Sequence, residues 1–177
     1  FDQESAHCKG VEGKLCEGVK GGIKQDDATV PSKEGEWWYY TRFVEEKEYP
    51  ILARRAVVDS GGATYSESAS EVVMLDVNAL AEGHDFYQVG GMDISPSQKM
   101  LAYAEDTAGR RQYTIRIKNL ATGETTSDVV PNVSGDMAWA ADDPTLLYVE
   151  NDPQTLRSYR VRKHVLGPDT KRDALVQ

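Results

Sequence analysis

From Glu36 to the end of the chain, short runs of alternating apolar and polar residues are separated by clusters of turn-forming residues. A period of two marks a strand with one buried face. Trp37–Arg42 is aromatic and β-prone, and Tyr49–Arg54 reads as a second strand that Pro50 places at an edge or an opening position. Val72–Leu75 is a third. Glu45–Lys47 forms a polar turn, Lys33–Gly35 another, and residues 59–70, rich in Gly, Ser, Ala and Thr, a loose hairpin tip. Residues 1–27 follow a different rule. Leu15, Val19 and Ile23 recur at i, i+4 and i+8, which predicts a single-stripe helix. The glycines beside them oppose it at about 1 kcal/mol each. The pattern divides the chain into an arm over residues 1–30 and a strand-rich region over residues 31–177.

The strand region repeats. Ile94–Asp106 aligns with Trp139–Asn151 at an offset of 45 residues, and Tyr113–Leu120 with Tyr159–Leu166 at 46. A looser earlier copy pairs Trp38–Tyr40 with Tyr103 and Tyr49–Ile51 with Tyr113–Ile115. Four short strands in roughly 45 residues are the signature of a β-propeller blade. Within a blade the strands run a (Met92–Ser95, Met137–Ala140), b (Met100–Ala104, Leu146–Val149), c (Gln112–Asn119, Tyr159–Lys163) and d (Ser127–Val130, Asp173–Val176). The fold class is all-β: an incomplete propeller of roughly three blades behind a short, helix-prone arm.

Composition narrows the function. The 177 residues carry 20 Lys+Arg against 29 Asp+Glu, a net charge of −9, which argues against nucleic acid because phosphate binding needs a basic face. The longest pure apolar run, Val72–Leu75, falls far short of the roughly 18 residues of a spanning helix, so no membrane partner is expected. Cys8 and Cys16 belong to no disulfide framework or zinc spacing, which points weakly to a reducing, cytoplasmic setting. Neither terminus reads as a natural end, since the chain opens on Phe1 and closes within a strand pattern.

Catalytic motifs are missing. No Gly-x-Ser-x-Gly elbow occurs, and His7, His84 and His164 have no nucleophile pattern nearby. Gly10–Lys14 is too short for a phosphate-binding loop. Asp76–Tyr87 starts like a calcium loop, but its glycine and its twelfth residue are wrong, so it reads as an ordinary loop. Asn132–Ser134 is a glycosylation triplet of a kind common by chance. Trp37, Trp38 and Trp139 suit packing between blades better than a sugar platform. No cofactor or metal is expected. The densest polar cluster, Ala104–Tyr113, falls in a b–c turn, where a self-paired surface turn competes with an interface. The b–c turns and d–a connections of a blade leave on one face. Glu105, Asp106, Arg110, Arg111, Ser134 and Asp136 are therefore the candidate contact residues.

Gly35–Arg42, Glu48–Ile51, Arg54–Arg55, Met74–His84, Leu101–Asp106, Gly109–Thr114, Asn119–Glu124, Met137–Asp142, Leu156–Arg160 and His164–Gly167 together resemble the opening propeller strands of the oligopeptidase B group of the prolyl oligopeptidase family. The resemblance implies a two-domain serine peptidase that hydrolyses short peptides after Arg or Lys. A seven-bladed propeller would gate access and dock an α/β-hydrolase domain holding every catalytic group, so this chain alone is expected to be inactive. Residues 1–22 depart from the family's arm, and residues 56–70 are longer and richer in Gly and Ser than its hairpin. Ser97 stands where an acidic residue is usual. The competing reading is a stand-alone propeller-type module that binds proteins or peptides without catalysis, which three blade equivalents could achieve only by self-assembly. Unpaired blade faces predict marginal stability and association for the isolated chain.

Overall fold

The computed structural model describes residues 27–58, 64–167 and 173–176. The expected helix around Leu15–Ile23 and both cysteines lie outside them. The chain divides into two compact units, residues 1–73 and 74–177.

The first unit holds β1 (Ser32–Glu34), β2 (Trp37–Arg42) and β3 (Ile51–Ala56), joined in order by β4 (Glu71–Asp76), whose first half lies in this unit. The expected turn at Lys33–Gly35 is only partly a turn. Glu34 pairs with Trp37, so Lys33 and Glu34 continue the strand and Gly35, at φ 56°, takes the reversal. Trp37 lies under the Arg54 guanidinium at 3.9 Å, and Trp38 meets Tyr65 edge-on at 6.0 Å. The Glu71 carboxylate accepts the Tyr40 hydroxyl at 2.5 Å and Arg42 Nη2 at 2.9 Å. Burial, reinforced by Glu71, pushes the Tyr40 hydroxyl up to about 12.

The second unit opens with α1 (Val77–Ala81), a five-residue helix where the sequence predicted a loop. Asp76 caps it by accepting the Asn78 and Ala79 N–H groups, which uses the carboxylate a calcium loop would need. Then follow β5 (Gln88–Ile94), β6 (Met100–Asp106), β7 (Tyr113–Asn119), β8 (Thr125–Trp139), β9 (Thr145–Asn151), β10 (Ser158–Val165) and β11 (Ala174–Leu175). All seven strands are antiparallel and hydrogen-bonded in sequence order.

These strands are the predicted a, b, c and d of two successive blades, with one difference. The fourth strand of one repeat and the first of the next form a single strand, β8. Its first half pairs with β7 and its second with β9, and Val133 pairs with both Tyr113 and Glu150. The register slips on either side of Val133 absorb extra residues where Asn132 (φ 61°) and Gly135 (φ 97°) leave extended geometry.

One core joins the two repeats. Ala102, Ala104, Tyr113, Ile115, Ile117 and Val130 of the first bury against Leu146 and Tyr148 of the second, with Met137 and Trp139 beside them. The inner strands touch at Gly91, where a Cβ would sit 2.1 Å from the Gly135 carbonyl oxygen. Asp93 accepts the Trp139 backbone N–H at 2.8 Å, and the Trp139 indole N–H donates to the Asp93 carbonyl at 3.1 Å. Trp139 thus packs between repeats, as expected, while Trp37 and Trp38 pack inside their own unit.

Candidate interaction face

Strand direction places the end of β6, the start of β7, the middle of β8, the end of β9 and the start of β10 on one edge. Gln88 pairs with Asp106, Tyr113 with Val133, Val133 with Glu150, and Ser158 with Asn151. The turn after β6 and the bent middle of β8 therefore lie together. Gly135 confirms their proximity, since a Cβ there would meet the Tyr113 ring at 3.3 Å.

The six candidate residues meet on this edge but present different groups. Glu105 is held inside the repeat. One of its carboxylate oxygens accepts the Tyr87 hydroxyl at 2.7 Å and the other accepts Arg116 Nε at 2.8 Å. Burial, then Glu105, drives the Tyr87 hydroxyl far above its usual range. Asp106 is buried and accepts the N–H groups of Ala108, Gly109 and Arg111 at 2.8, 3.0 and 2.7 Å. It shapes the turn rather than facing outward. Ser134 donates to the exposed Asp136 carboxylate at 2.8 Å. Arg110 and Arg111 are exposed, and neither guanidinium has a side-chain partner among the described residues. The turn is thus not self-paired, because Glu105 takes Arg116 on the neighbouring strand.

The second repeat builds the same turn. Asp152 accepts the N–H groups of Gln154 and Thr155 at 2.9 and 2.8 Å. Leu156 takes the left-handed conformation at φ 58°, as Arg111 does at φ 56°. Glu150 takes Arg160 at 2.6 Å and Arg162 at 2.5 Å, matching Glu105 with Arg116.

Toward the opposite ends of these strands lies a cluster that the sequence did not reveal. His164 is fully buried, with Nδ1 2.8 Å from an Asp173 oxygen and Nε2 2.9 Å from an Asp128 oxygen. Tyr148 donates its hydroxyl to the other Asp173 oxygen at 2.8 Å, and the Gly167 N–H donates to Asp128 at 2.6 Å. Two hydrogen bonds on one ring need two protons among the three groups. Asp128 feels burial, which would raise its carboxyl, but the Gly167 N–H and His164 outweigh it and hold the carboxyl below its usual range. The arrangement is a clasp joining β8, β10 and the segment entering β11. Its signal is three-dimensional, since Asp128 lies 36 residues from His164 and Asp173 nine.

Among the described residues no group of His, Cys, Asp and Glu could hold a metal ion, and no helix is long and apolar enough to cross a membrane. Comparison with known proteins identifies the framework. The family of the prolyl oligopeptidase N-terminal β-propeller domain matches residues 1–177. Dipeptidyl aminopeptidase BI of Pseudoxanthomonas mexicana is 50% identical over 99% of this chain and 25% of its own length. Protease 2 of Moraxella lacunata is 35% identical over 87% of this chain and 22% of its own length. Oligopeptidase B from Leishmania major superposes with a TM-score of 0.78 at 34% identity, over 86% of this chain and 21% of that structure. The chain spans about a quarter or less of the length of these relatives. With its two four-stranded repeats and a match from end to end, the chain belongs to the N-terminal β-propeller domain family of the prolyl oligopeptidases.

Proposed function

We propose that this chain is the propeller portion of a serine peptidase that hydrolyses short peptides after Arg or Lys. The propeller gates entry and docks an α/β-hydrolase domain elsewhere in the longer protein. The observation that carries this reading is the edge where the turn after β6 meets the bend of β8: shaped by an inward-facing Asp106, it offers exposed charges to a neighbour. A setting in the cytoplasm fits the same reading.

A second substrate reading has its own support. The relative at 50% identity bears the name of a dipeptidyl aminopeptidase, which implies removal of dipeptides from a free N-terminus. The two readings separate with fluorogenic substrates given to the full-length protein. Cleavage of an N-blocked peptide after Arg supports the endopeptidase reading. Cleavage only of substrates with a free N-terminal dipeptide replaces it. The chain of residues 1–177 alone should leave both substrates intact, and strong hydrolysis by it would place catalytic groups here and sink the proposal.

A further inference from the structure

Each repeat carries, on the same edge, a rigid turn that displays an unpartnered arginine beside an exposed apolar side chain. In the first, Arg110 and Arg111 stand next to Phe86, which lies against Gly109 and is 39% exposed. In the second, Arg157 follows Leu156, which is 43% exposed. None of the three guanidinium groups has a side-chain partner among the described residues, although the chain's net charge is −9. The anions on this edge do not answer them. Asp106 spends both oxygens on turn N–H groups and Asp152 one of its two, the Asp136 carboxylate accepts the Ser134 hydroxyl, and Asp85 lies before β5.

The turns are built to hold this display. Arg111 and Leu156 both occupy left-handed backbone, which costs a non-glycine residue of order 1 kcal/mol and persists only where its surroundings fix it. The aspartate at the root of each turn supplies that fixing. A backbone that is already fixed loses less entropy on docking, and arginine with a flanking apolar group suits the partly desolvated ion pairs of an interface.

Building on the docking role proposed above, we infer that Arg110, Arg111 and Arg157, with Phe86 and Leu156, form a basic and apolar seat for an acidic surface of the hydrolase domain. Charge complementarity selects that occupant: the three guanidinium groups on this edge have no side-chain partner among the described residues.

The test uses the full-length protein with Arg110→Lys and Arg157→Lys, which keep the charge and add an amine. A zero-length carbodiimide then joins each lysine to any carboxylate in contact. The expected result is cross-links to Asp or Glu residues beyond position 177 of the same molecule, with yield falling severalfold in high salt. Cross-links confined to residues 1–177, links only between two copies, or none at all overturn the inference. A second pair, Arg110→Glu with Arg157→Glu, should speed proteolytic cutting between the domains severalfold, and an unchanged cutting rate counts against the seat. Peptidase activity is read separately, so an inactive enzyme that still cross-links speaks for the seat and against the substrate reading.

Discussion

The two repeats of the second unit share a plan and differ in what covers them. Both have a glutamate on the second strand held by arginine from the third, both have an aspartate-rooted turn with a left-handed residue, and both have a buried tyrosine at the repeat position, Tyr103 and Tyr148. Their third strands part company. In β7 the alternating face Tyr113, Ile115 and Ile117 is buried, with Ile115 and Ile117 fully so. In β10 the matching face, Tyr159 and Val161, is 48% and 40% exposed, with Lys163 next and Val165 at 52%. The first repeat is closed by Leu146 and Tyr148 of the second. The face that repeats it in β10 has no such cover among the described residues. Related strand faces therefore become a core or an exposed surface according to whether a further repeat lies over them.

Three pairs of substitutions probe this comparison. The largest effect is expected at His164, which belongs to the second repeat but fastens onto Asp128 from the first half of β8. His164→Leu leaves two buried carboxylates facing an apolar side chain and should cost about 3–5 kcal/mol in urea unfolding. A loss under about 1 kcal/mol would show that the clasp does not hold the repeats together. Asp128 also sets the acid limb. Its folded carboxyl lies below the unfolded value, so its stabilisation is complete above about pH 4 and fades as pH falls through the folded value. Asp128→Asn should flatten that part of the pH–stability curve.

Next comes the contrast itself. Ile115→Ala removes a fully buried side chain and should cost about 2–5 kcal/mol. Val161→Ala, on the open face, should cost about 0.5 kcal/mol or less in this chain. In the full-length protein its cost should rise above 1 kcal/mol if another repeat covers it. Equal costs for Val161→Ala in both settings would break the comparison.

The smallest difference within a pair separates close approach from turn geometry. Gly91→Ala drives a methyl into the Gly135 carbonyl and should cost about 2–3 kcal/mol. Gly123→Ala, at φ +77° in open space, should cost about 1 kcal/mol. Thermal unfolding of the two variants in parallel reads the difference.

Much of this was legible in the residues. The spacing of Tyr103 and Tyr148 gave the repeat, and alternation placed β6, β7, β9 and β10 closely, because a half-buried strand writes its two faces directly into the sequence, while β5 starts four residues before the expected Met92. The helix α1 was missed although a signal was present: Asp76 followed by Val-Asn-Ala-Leu-Ala is a cap before good helix formers. Gly90 and Gly91 drew no notice because their reason lies across the sheet. The candidate site was legible as a location but not as an inventory. Glu105 and Asp106 stood out as charges, yet hydrogen bonds along and across the strands turn them inward, and only the fold shows that Arg157 joins Arg110 and Arg111 on one edge.

The continuity of β8 has a mechanical consequence. Because one uninterrupted strand ends the first repeat and starts the second, no slack linker separates them, and a pull on either is carried to the other through backbone loaded along its length. A flexible insert between Val133 and Asp136 would cut that tie, while the same insert at Thr122–Gly123 would only enlarge a surface turn. Any motion that opens this part of the molecule must then move the two repeats as a pair.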